Sequence, residues 1–257
     1  MCIRDRIILG PFDEKEGQDY FGFSEGVALK IERHKGYGGY NYILEYTTFD
    51  INGNQIGKLQ SVVSNKRNPN ELYVSDISSR CKNGLFKYSK SDYISDSPNG
   101  IDGYLNKKLE VVVTAKYKNC SDFSDGLAQV QNSNKLYGYI DSNGNEVIPL
   151  KFNYTSPFSE GVAFVKIGDE GFYIDKSGNK AFNTTFEIKY GHQFKGGYAT
   201  VTPKFNSDLT YIINKSGKII YDLGNDFGSD SNVGYSVIGT NRIEDGYHHY
   251  LVRIAPK

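Results

Sequence analysis

The stretch Phe123-Ser-Asp-Gly-Leu-Ala-Gln-Val130 decides the fold, because the same phrase returns along the chain. Residues 158–165 repeat it as Phe-Ser-Glu-Gly-Val-Ala-Phe-Val, and residues 194–201 as Phe-Lys-Gly-Gly-Tyr-Ala-Thr-Val. An early copy occupies residues 23–30 as Phe-Ser-Glu-Gly-Val-Ala-Leu-Lys. Recurrence of one phrase at a steady interval is typical of a protein built from tandem structural repeats.

The spacing between successive copies of the glycine in this phrase gives the length of the repeat. The glycine occurs in six copies, two of them degenerate: Gly26, Gly84, Gly126, Gly161, Gly197 and Gly234. The last three intervals are 35, 36 and 37 residues, whereas the first two, 58 and 42 residues, contain insertions. The spacing predicts a single β-repeat domain over residues 7–257. Within it we expect irregular repeats at 20–115, regular repeats at 116–222 and a degenerate terminal repeat at 223–257.

A second phrase follows the first in each unit and predicts a hairpin. Residues 139–144 read Tyr-Ile-Asp-Ser-Asn-Gly, and the turn glycines of the three regular units are Gly144, Gly178 and Gly217. Glycine tolerates the left-handed backbone of a tight turn, and the leading Asp or Asn can accept hydrogen bonds from the turn backbone. We therefore expect residues 137–141 and 146–150 to be adjacent antiparallel strands.

Together the two phrases predict an all-β fold. Each unit of about 35 residues reads as a three-stranded antiparallel β-meander followed by a return segment, and no long window has the 3.6-residue period of a helix. One meander cannot bury its own faces, so neighbouring copies must stack. The stack is either a propeller-like ring or an open β-solenoid, and the repeat length slightly favours the ring.

Two sets of residues are expected to hold the stack together. Ala128 and the glycines beside the first strand, Gly126, Gly161 and Gly197, suggest a close approach of backbones on one side. The aromatic residues that open each regular unit are expected to fill the space between units: Phe123, Phe158 and Phe194.

Composition disfavours several classes of function. The 257 residues include 30 Lys and Arg against 30 Asp and Glu, a formal net charge of zero. Binding to nucleic acid through bulk charge is disfavoured, because neutralising phosphates needs a basic surplus. No run approaches the ~18 apolar residues of a membrane helix, so no membrane span is expected.

The first residues and the cysteines assign no compartment. Residues 1–6, Met-Cys-Ile-Arg-Asp-Arg, resemble translated adapter sequence and are expected to be non-native, with the natural start of the chain missing. The remaining cysteines, Cys81 and Cys120, match no zinc spacing. Two buried free thiols are favoured over a disulfide between them.

The two phrases and the segment after them resemble the WG-repeat family of bacterial proteins. The best unit runs over residues 123–157, and the resemblance is strongest over residues 116–222. The chain contains no tryptophan, and the Trp-Gly that names the family is Tyr137-Gly138 here. The corresponding pairs in the next two units are Gly171-Phe172 and Thr210-Tyr211. The resemblance implies a β-rich repeat array used for binding or display, and no defined chemistry.

Residues that could support catalysis or metal binding lack the necessary pattern. Asp50 and Asp141 begin Asp-x-Asn-Gly-Asn segments like the start of a calcium loop, but the glycine and glutamate required at its sixth and twelfth positions are absent. His248 and His249 are adjacent on an expected strand and would point to opposite faces. We therefore expect no metal site, no cofactor and no catalytic residue, and a chain that is not an enzyme.

Tyrosine is the residue type whose abundance points to a function. The 21 tyrosines either fill strand positions, which suit them, or form an exposed row that stacks on sugars or anchors a protein. Tyr37, Tyr40, Tyr42 and Tyr46 lie in an insertion, and insertions in repeat proteins often gather on the binding face. These four are the expected binding residues of a scaffold for protein–protein interaction. The alternative is a module that binds carbohydrate or cell envelope through exposed tyrosines.

Overall fold

Strands alone make up the regular secondary structure of the described residues. The computed structural model describes residues 18–20, 23–35, 42–63, 74–90, 100–223, 236–243 and 246–252. These residues form 21 strands that pair antiparallel, and no helix occurs among them. None of them therefore forms a helix that could cross a membrane. The predicted all-β, antiparallel fold is confirmed.

Two four-stranded sheets come first in the chain. The first sheet contains, in spatial order, β1 (Gln18–Tyr20), β2 (Val27–Lys35), β3 (Tyr42–Asp50) and β4 (Gln55–Val63). The second contains β5 (Val74–Lys82), β6 (Leu85–Lys90), β7 (Ile101–Asn106) and β8 (Val111–Tyr117). In both sheets neighbours in sequence are neighbours in space, the arrangement that short connections favour.

The third sheet holds the best-matching repeat and confirms its predicted hairpin. It contains β9 (Asn119–Cys120), β10 (Ala128–Gln131), β11 (Tyr137–Ile140) and β12 (Glu146–Phe152), again in chain order. β11 pairs antiparallel with β12. The prediction of three strands per repeat is wrong by one strand, because the return segment supplies β9, whose Cys120 pairs with Val130. That pairing satisfies backbone groups that would otherwise be buried without partners.

The fourth sheet has seven strands because two repeats share it. Its strands are β13 (Tyr154–Thr155), β14 (Val162–Ile167), β15 (Glu170–Asp175), β16 (Ile188–Gly191), β17 (Tyr198–Pro203), β18 (Tyr211–Asn214) and β19 (Ile219–Asp222). β15 of one repeat pairs with β16 of the next at one position, Gly171 with Ile188. The sequence predicted one three-stranded meander for each repeat and did not predict that two repeats would share a sheet. They share it because residues 181–187 form no strand and leave the edge of β15 open to β16.

A further hairpin follows, and the chain as a whole divides into two compact units. β20 (Ser236–Ile243) pairs with β21 (Gly246–Val252). Unit 1 comprises Met1–Gly126, Val130–Lys135 and Asp141–Asn145, and unit 2 comprises Leu127–Gln129, Leu136–Ile140 and Glu146–Lys257. No sheet among the described strands closes on itself. The single domain over residues 7–257 and the choice between ring and solenoid stay predictions.

Each unit has its own hydrophobic core. Unit 1 buries a cluster that includes Val27, Leu29, Tyr46, Val74, Phe86, Tyr88 and Leu105. Unit 2 buries one cluster around Tyr139, Ile148, Phe152 and Phe158 and a second around Phe164, Tyr173, Phe194 and Val201. The alternating burial along β10 and β17 shows that these strands turn every second side chain into a core.

The Ser-acid-Gly step of the first phrase forms a two-residue turn. In the turn at 159–162 the central residues Glu160 and Gly161 have φ of +53° and +87°, and the first N–H donates to the fourth carbonyl at 2.9 Å. Two left-handed residues in succession form a type I′ turn, whose twist matches a hairpin. Gly126 and Gly197 hold the same position with φ of +86° and +85°.

The expectation of close backbone approach at these glycines is wrong. A Cβ added to Gly161 or Gly197 would meet nothing within 4 Å, and one added to Gly126 would meet only the Asn83 side chain at 3.9 Å. Glycine is needed at these positions because the turn requires positive φ, which costs any residue with a Cβ about 1–2 kcal/mol.

The Asp-x-x-Gly step forms the second recurring turn, as the sequence predicted. Asp141 Oδ1 accepts the N–H groups of Asn143 and Asn145, each at 2.9 Å, and Gly144 has φ of +84°. The matching pair of hydrogen bonds is accepted by the first residue of four other turns: Asp50, Asn106, Asp175 and Asn214. Gly178 and Gly217 also have positive φ, +81° and +76°.

A buried tyrosine of one repeat contacts the phenylalanine that opens the next repeat. The ring centroids are 4.9 Å apart for Tyr104 and Phe123, 4.7 Å for Tyr139 and Phe158, and 5.2 Å for Tyr173 and Phe194. Each tyrosine hydroxyl also donates to the backbone carbonyl two residues before that phenylalanine, belonging to Ser121, Ser156 and His192 respectively. The same aromatic contact therefore joins three successive pairs of repeats.

The glutamate of the type I′ turn makes a second link between repeats. Glu160 accepts the N–H of Gly197 at 3.0 Å, and Lys215 lies 3.1 Å from the same carboxylate and donates to the Glu160 carbonyl at 2.9 Å. Burial opposes ionisation of Glu160, but the Lys215 and Gly197 donors outweigh it, so its pKa is lowered. In unit 1, Glu25 makes the matching contact with the Gly84 N–H at 2.8 Å.

The glycine of the Tyr137-Gly138 pair lies where two strands approach closely. A Cβ on Gly138 would stand 2.5 Å from the Ile148 carbonyl oxygen and 2.8 Å from the Leu150 nitrogen. The pairing of β11 with β12 shifts register at this point, so the backbone of β12 bulges towards the glycine. Glycine is required at position 138 because a side chain would clash with the neighbouring strand, and not because the backbone has a positive φ.

Candidate functional site

The seven-stranded sheet has two ends of different character. One end, here called the turn end, carries the recurring tight turns at 159–162, 175–178, 195–198 and 214–217. The other, the loop end, carries the variable connections and consists of Tyr154, residues 166–170, residues 188–190 and residues 203–209. A continuous row of paired positions crosses the sheet at the loop end: Tyr154, Lys166, Gly171, Ile188 and Pro203.

Four large apolar side chains are exposed at the loop end. The exposed fractions are 49% for Tyr154, 44% for Ile167, 53% for Tyr190 and 67% for Phe205. Tyr154 lies opposite Lys166 on the neighbouring strand, and Ile167 ends β14. Single exposed apolar residues are ordinary, whereas several exposed at one end of one sheet are a pattern typical of interaction surfaces in general.

Two lysines lie beside the exposed ring of Tyr190. The Lys166 Nζ is 5.2 Å and the Lys189 Nζ 5.5 Å from the centroid of that ring, within the range of cation–π attraction. Lys166 belongs to β14, and Gly171 of β15 lies between it and β16. The side chain of Lys166 thus reaches across β15 to the Tyr190 ring, while the Phe164 ring fills the space above Gly171, with its Cζ 2.6 Å from where a Cβ would stand.

Three polar contacts tie the loop after β17 to the start of β16. Lys189 Nζ donates to Ser207 Oγ at 2.8 Å, and Lys204 Nζ lies 3.2 Å from the Glu187 carboxylate. The backbone N–H of Lys204 also donates to the Glu187 carbonyl at 2.8 Å. These contacts hold the loop with Phe205 close to the strand with Tyr190.

A cavity of about 270 Å³ lies beside the loop end. It forms where residues 181–187 leave the sheet, and its lining includes Phe172, Phe182, Phe186, Glu170, Glu187 and Lys180. Sites for drug-sized ligands occupy ~300–1,000 Å³. The cavity is therefore suited to a single side chain or a ligand fragment of similar size.

The tyrosines predicted as binding residues lie elsewhere. Tyr46 is 1% exposed, and its place in an exposed binding row is therefore wrong. It pairs with Ile31 and Leu59 in the middle of the first sheet, where the strand alternation turns it into the unit 1 core. Tyr42 is the first residue of β3. Tyr37 and Tyr40 fall between β2 and β3, outside the described residues.

The two described cysteines are buried free thiols, as the sequence favoured. Neither Cys81 nor Cys120 forms a disulfide. Burial raises the pKa of Cys81 to about 11 and that of Cys120 to about 12. At neutral pH both side chains are therefore protonated, the form that is a poor nucleophile.

Asp141, His248 and His249 were considered as metal ligands from the sequence. Both Asp141 carboxylate oxygens accept hydrogen bonds, from the Asn143 and Asn145 N–H groups and from the Asn145 side chain, which lower its pKa. His248 and His249 are consecutive residues of β21. Within the described part of the chain, no three His, Cys, Asp or Glu residues are grouped as metal ligands.

Comparison with protein families matches two segments of the chain. A family model described as WG containing repeat matches residues 103–135 and residues 137–170. The WG-repeat resemblance is confirmed for these two segments. The first match begins at Gly103 and the second one residue before Gly138. A Cβ on either glycine would clash with the backbone of the next strand, where the pairing shifts register. In these WG-type repeats the glycine is kept although the tryptophan is replaced.

Comparison with solved structures finds 38 matching chains, among them BamB and a domain of Doa1, and no curated protein matches the sequence. BamB from Moraxella catarrhalis is 12% identical with a TM-score of 0.35, and the alignment covers 92% of this chain and 80% of that chain. The WD40 β-propeller domain of Doa1 is 10% identical with a TM-score of 0.29, covering 80% and 67% respectively. At these TM-scores neither likeness decides between a ring and a solenoid.

The loop-end residues were missed by the motif analysis because they lie outside the motifs of the WG-type repeats. Ile167 precedes Gly168-Asp169, and Phe205 precedes Asn206-Ser207-Asp208. An apolar residue directly before turn-forming residues has little chance of burial. That signal, absent from the recurring phrases, could have identified both positions.

Proposed function

We propose that this chain is a non-catalytic repeat scaffold that binds another protein, and that the loop end of the seven-stranded sheet is its binding surface. The observation that carries the proposal is the exposure of Tyr154, Ile167, Tyr190 and Phe205 together at one end of one sheet. Aromatic and aliphatic side chains of this kind lose unfavourable contact with water when a partner covers them.

The packing of the repeats supports this role. Buried aromatic contacts and tight turns recur at the turn end, which holds the strands in fixed register. A rigid sheet presents its connecting loops in a defined arrangement, and this lowers the entropic cost of binding. The WG-repeat resemblance over residues 103–170 is in keeping with a scaffold.

The proposed role is non-catalytic because the reactive groups considered are engaged or inert. The thiols of Cys81 and Cys120 have raised pKa values. The carboxylates of Glu25 and Glu160 accept backbone N–H groups that join repeats. These two carboxylates stabilise the fold, and reacting with a substrate would break the hydrogen bonds that they accept.

Carbohydrate binding is the second candidate, and the half-exposed rings of Tyr154 and Tyr190 favour it. Flat aromatic faces can stack on sugars. Yet Lys166 and Lys189 already lie beside the Tyr190 ring, and Ile167 and Phe205 bring no polar group for sugar hydroxyls. Protein binding accounts for all four exposed side chains.

A selection from a random peptide library displayed on phage tests the proposal. The intact chain would be compared with Ile167→Ser/Phe205→Ser and with the control Val147→Ser/Tyr221→Ser, whose targets are similarly exposed at 41% and 48% but lie outside the loop end. We expect enriched peptides whose binding is lost in the first variant and kept in the control. Equal binding to both variants, or retention only on insoluble polysaccharide or peptidoglycan, would overturn the proposal.

A further inference from the structure

We infer that the cavity beside the loop end takes one large apolar side chain of the bound partner, which is the anchor of the interface. The inference rests on the proposed function and adds the anchor residue of the partner to it. The origin of the cavity, its fixed walls and its place next to the loop end carry the inference.

The cavity lies where the fourth strand of a repeat is displaced from the sheet. In the two preceding repeats a Cβ on Gly103 or Gly138 would clash with the backbone of that strand. Both glycines directly precede the buried tyrosine that contacts the next repeat, and in this repeat Phe172 directly precedes it. Because the tight contact leaves no room for a side chain, Phe172 keeps residues 181–187 away from β15.

The displaced segment begins in the same register as its counterparts. Ile174 pairs with Lys180, as Ile140 pairs with Glu146 in the preceding repeat. After this bridge, residues 181–187 form no strand. The cavity of about 270 Å³ lies between this segment and β15, in the place that a paired strand fills in the other two repeats.

The walls of the cavity are held in place by contacts with their neighbours. The Phe182 ring stacks on the Tyr173 ring and the Phe186 ring contacts the Tyr211 ring, each with 5.3 Å between centroids. The next hairpin turn packs against the same segment, since a Cβ on Gly217 would stand 2.7 Å from Phe182 Cδ2. Filling a pocket whose walls are already fixed costs little conformational entropy.

The charges at the cavity balance, so its aromatic residues determine what it can hold. Glu170 and Lys180 carry opposite charges, and Glu187 is paired with Lys204 at 3.2 Å. The aromatic residues are three half-buried phenylalanines: Phe172, Phe182 and Phe186. An uncharged side chain that covers them gains most, through apolar burial and contacts between rings.

The cavity is continuous with the loop end. Glu170 and Ile188 belong to both the lining of the cavity and the loop end. Ile167, which is 44% exposed, pairs with Glu170, and strand alternation places both on the face of β15 that carries Phe172. A chain bound across the loop end can therefore place one side chain in the cavity and cover Ile167 with the next.

The size of the cavity favours a side chain over a free ligand. Its volume of about 270 Å³ is below the ~300–1,000 Å³ of sites for drug-sized ligands. In protein interfaces, a few side chains in well-packed pockets supply most of the binding energy. The occupant is therefore the anchor of a bound peptide.

The test uses peptides enriched from the phage library against the full chain. The test variant is Thr185→Trp, which places a large side chain at the cavity from an exposed residue of its lining. The matched control is Thr114→Trp, because Thr114 is an exposed threonine of β8 that does not line the cavity. Binding is measured by fluorescence anisotropy, and circular dichroism establishes that both variants are folded.

We expect each enriched peptide to contain one large apolar residue whose replacement by alanine raises the dissociation constant about tenfold or more. Thr185→Trp should raise the dissociation constant of the parent peptide by a similar factor, and Thr114→Trp should leave it unchanged. The alanine peptide should bind Thr185→Trp and wild type equally, because it has no side chain to place in the cavity.

Other outcomes separate this inference from the proposed function. Peptides that are lost on Ile167→Ser/Phe205→Ser, but bind Thr185→Trp as tightly as wild type, would overturn the inference and leave the proposed function standing. Equal weakening of the parent and alanine peptides by Thr185→Trp, or a charged residue as the indispensable one, would do the same. Absence of any enriched peptide would overturn both.

Discussion

The turn end and the loop end of the seven-stranded sheet differ in how strictly the two repeats agree. At the turn end, the first and last residues of the turns at 159–162 and 195–198 pair in the same antiparallel β-bridge. The turns at 175–178 and 214–217 have the same side-chain-to-backbone hydrogen bonds. At the loop end, one connection has two residues between strands and the other seven. The agreement coincides with contacts that hold repeats together, and the divergence lies at the surface that we propose binds a partner.

The largest expected effect is at Gly138 of the third sheet, a close strand contact to set against an open position at the loop end. Gly138→Ala places a Cβ 2.5 Å from the Ile148 carbonyl oxygen, and the neighbours are backbone atoms that cannot yield cheaply. We expect a loss of about 2–3 kcal/mol in the free energy of unfolding, measured by urea denaturation.

The control is Gly168→Ala at the loop end. Gly168 has φ of +57° and open space around it, so alanine should cost about 1 kcal/mol from backbone strain alone. Equal losses for the two variants would contradict the assignment of Gly138 to a tight strand contact.

The next effect concerns the turn glycine Gly144. Gly144→Val should destabilise the chain by about 2 kcal/mol, because a β-branched residue resists φ of +84° and its Cβ would lie 2.8 Å from Val113 Cγ2. The melting midpoint by circular dichroism measures this. A midpoint equal to that of the wild type would count against the turn.

Removing one buried hydroxyl tests the aromatic link between repeats. Tyr139→Phe keeps the ring contact with Phe158 but loses the hydrogen bond to the Ser156 carbonyl at 2.7 Å. We expect a loss of about 1–1.5 kcal/mol by chemical denaturation. Tyr154→Phe, at a half-exposed tyrosine of the loop end, is the control and should have almost no effect. Equal losses would contradict a stabilising role for the buried hydrogen bond of Tyr139.

Acid should weaken the glutamate link at the turn end. The pKa of Glu160 is lowered from 4.5 in the folded chain, so its stabilisation is complete above about pH 4.5 and is lost as pH falls through the folded-state pKa. Glu160→Gln should cost about 0.5–1 kcal/mol at pH 6 and progressively less towards pH 3.

The measurement is thermal unfolding of wild type and Glu160→Gln between pH 6 and pH 3. Glu187→Gln serves as the control, because Glu187 also forms an ion pair with a lysine, Lys204, but its own side chain is 76% exposed. A gap between wild type and Glu160→Gln that widens with acidification would show that the sign of the linkage is wrong.

Much of the fold was predictable because its turns rest on local chemistry. The β11–β12 hairpin follows from an Asp that binds the turn backbone and a glycine that accepts positive φ, both readable at Asp141 and Gly144. The type I′ turn was equally local, but Gly161 was interpreted as a space requirement instead of a turn requirement. Both a space requirement and a turn requirement predict glycine at this position, so only the value of φ distinguishes the two explanations.

The shared sheet and the candidate site depended on contacts that no short motif encodes. One pairing, Gly171 with Ile188, joins two repeats, and it depends on residues 181–187 leaving the sheet. Tyr46 has the same local sequence whether it faces solvent or core, and its pairing with Ile31 and Leu59 decides the matter. Lys166 of β14 contacts the Tyr190 ring of β16 across β15, a relation between three strands.

The most direct test of the account measures stability and peptide binding on two double variants. Ile167→Ser/Phe205→Ser should keep the free energy of unfolding within about 0.5 kcal/mol of wild type and lose binding of the selected peptides. Tyr139→Phe/Glu160→Gln should lose stability and, while folded, keep binding. Undiminished binding by the loop-end variant would contradict the claim that the loop end is the binding surface.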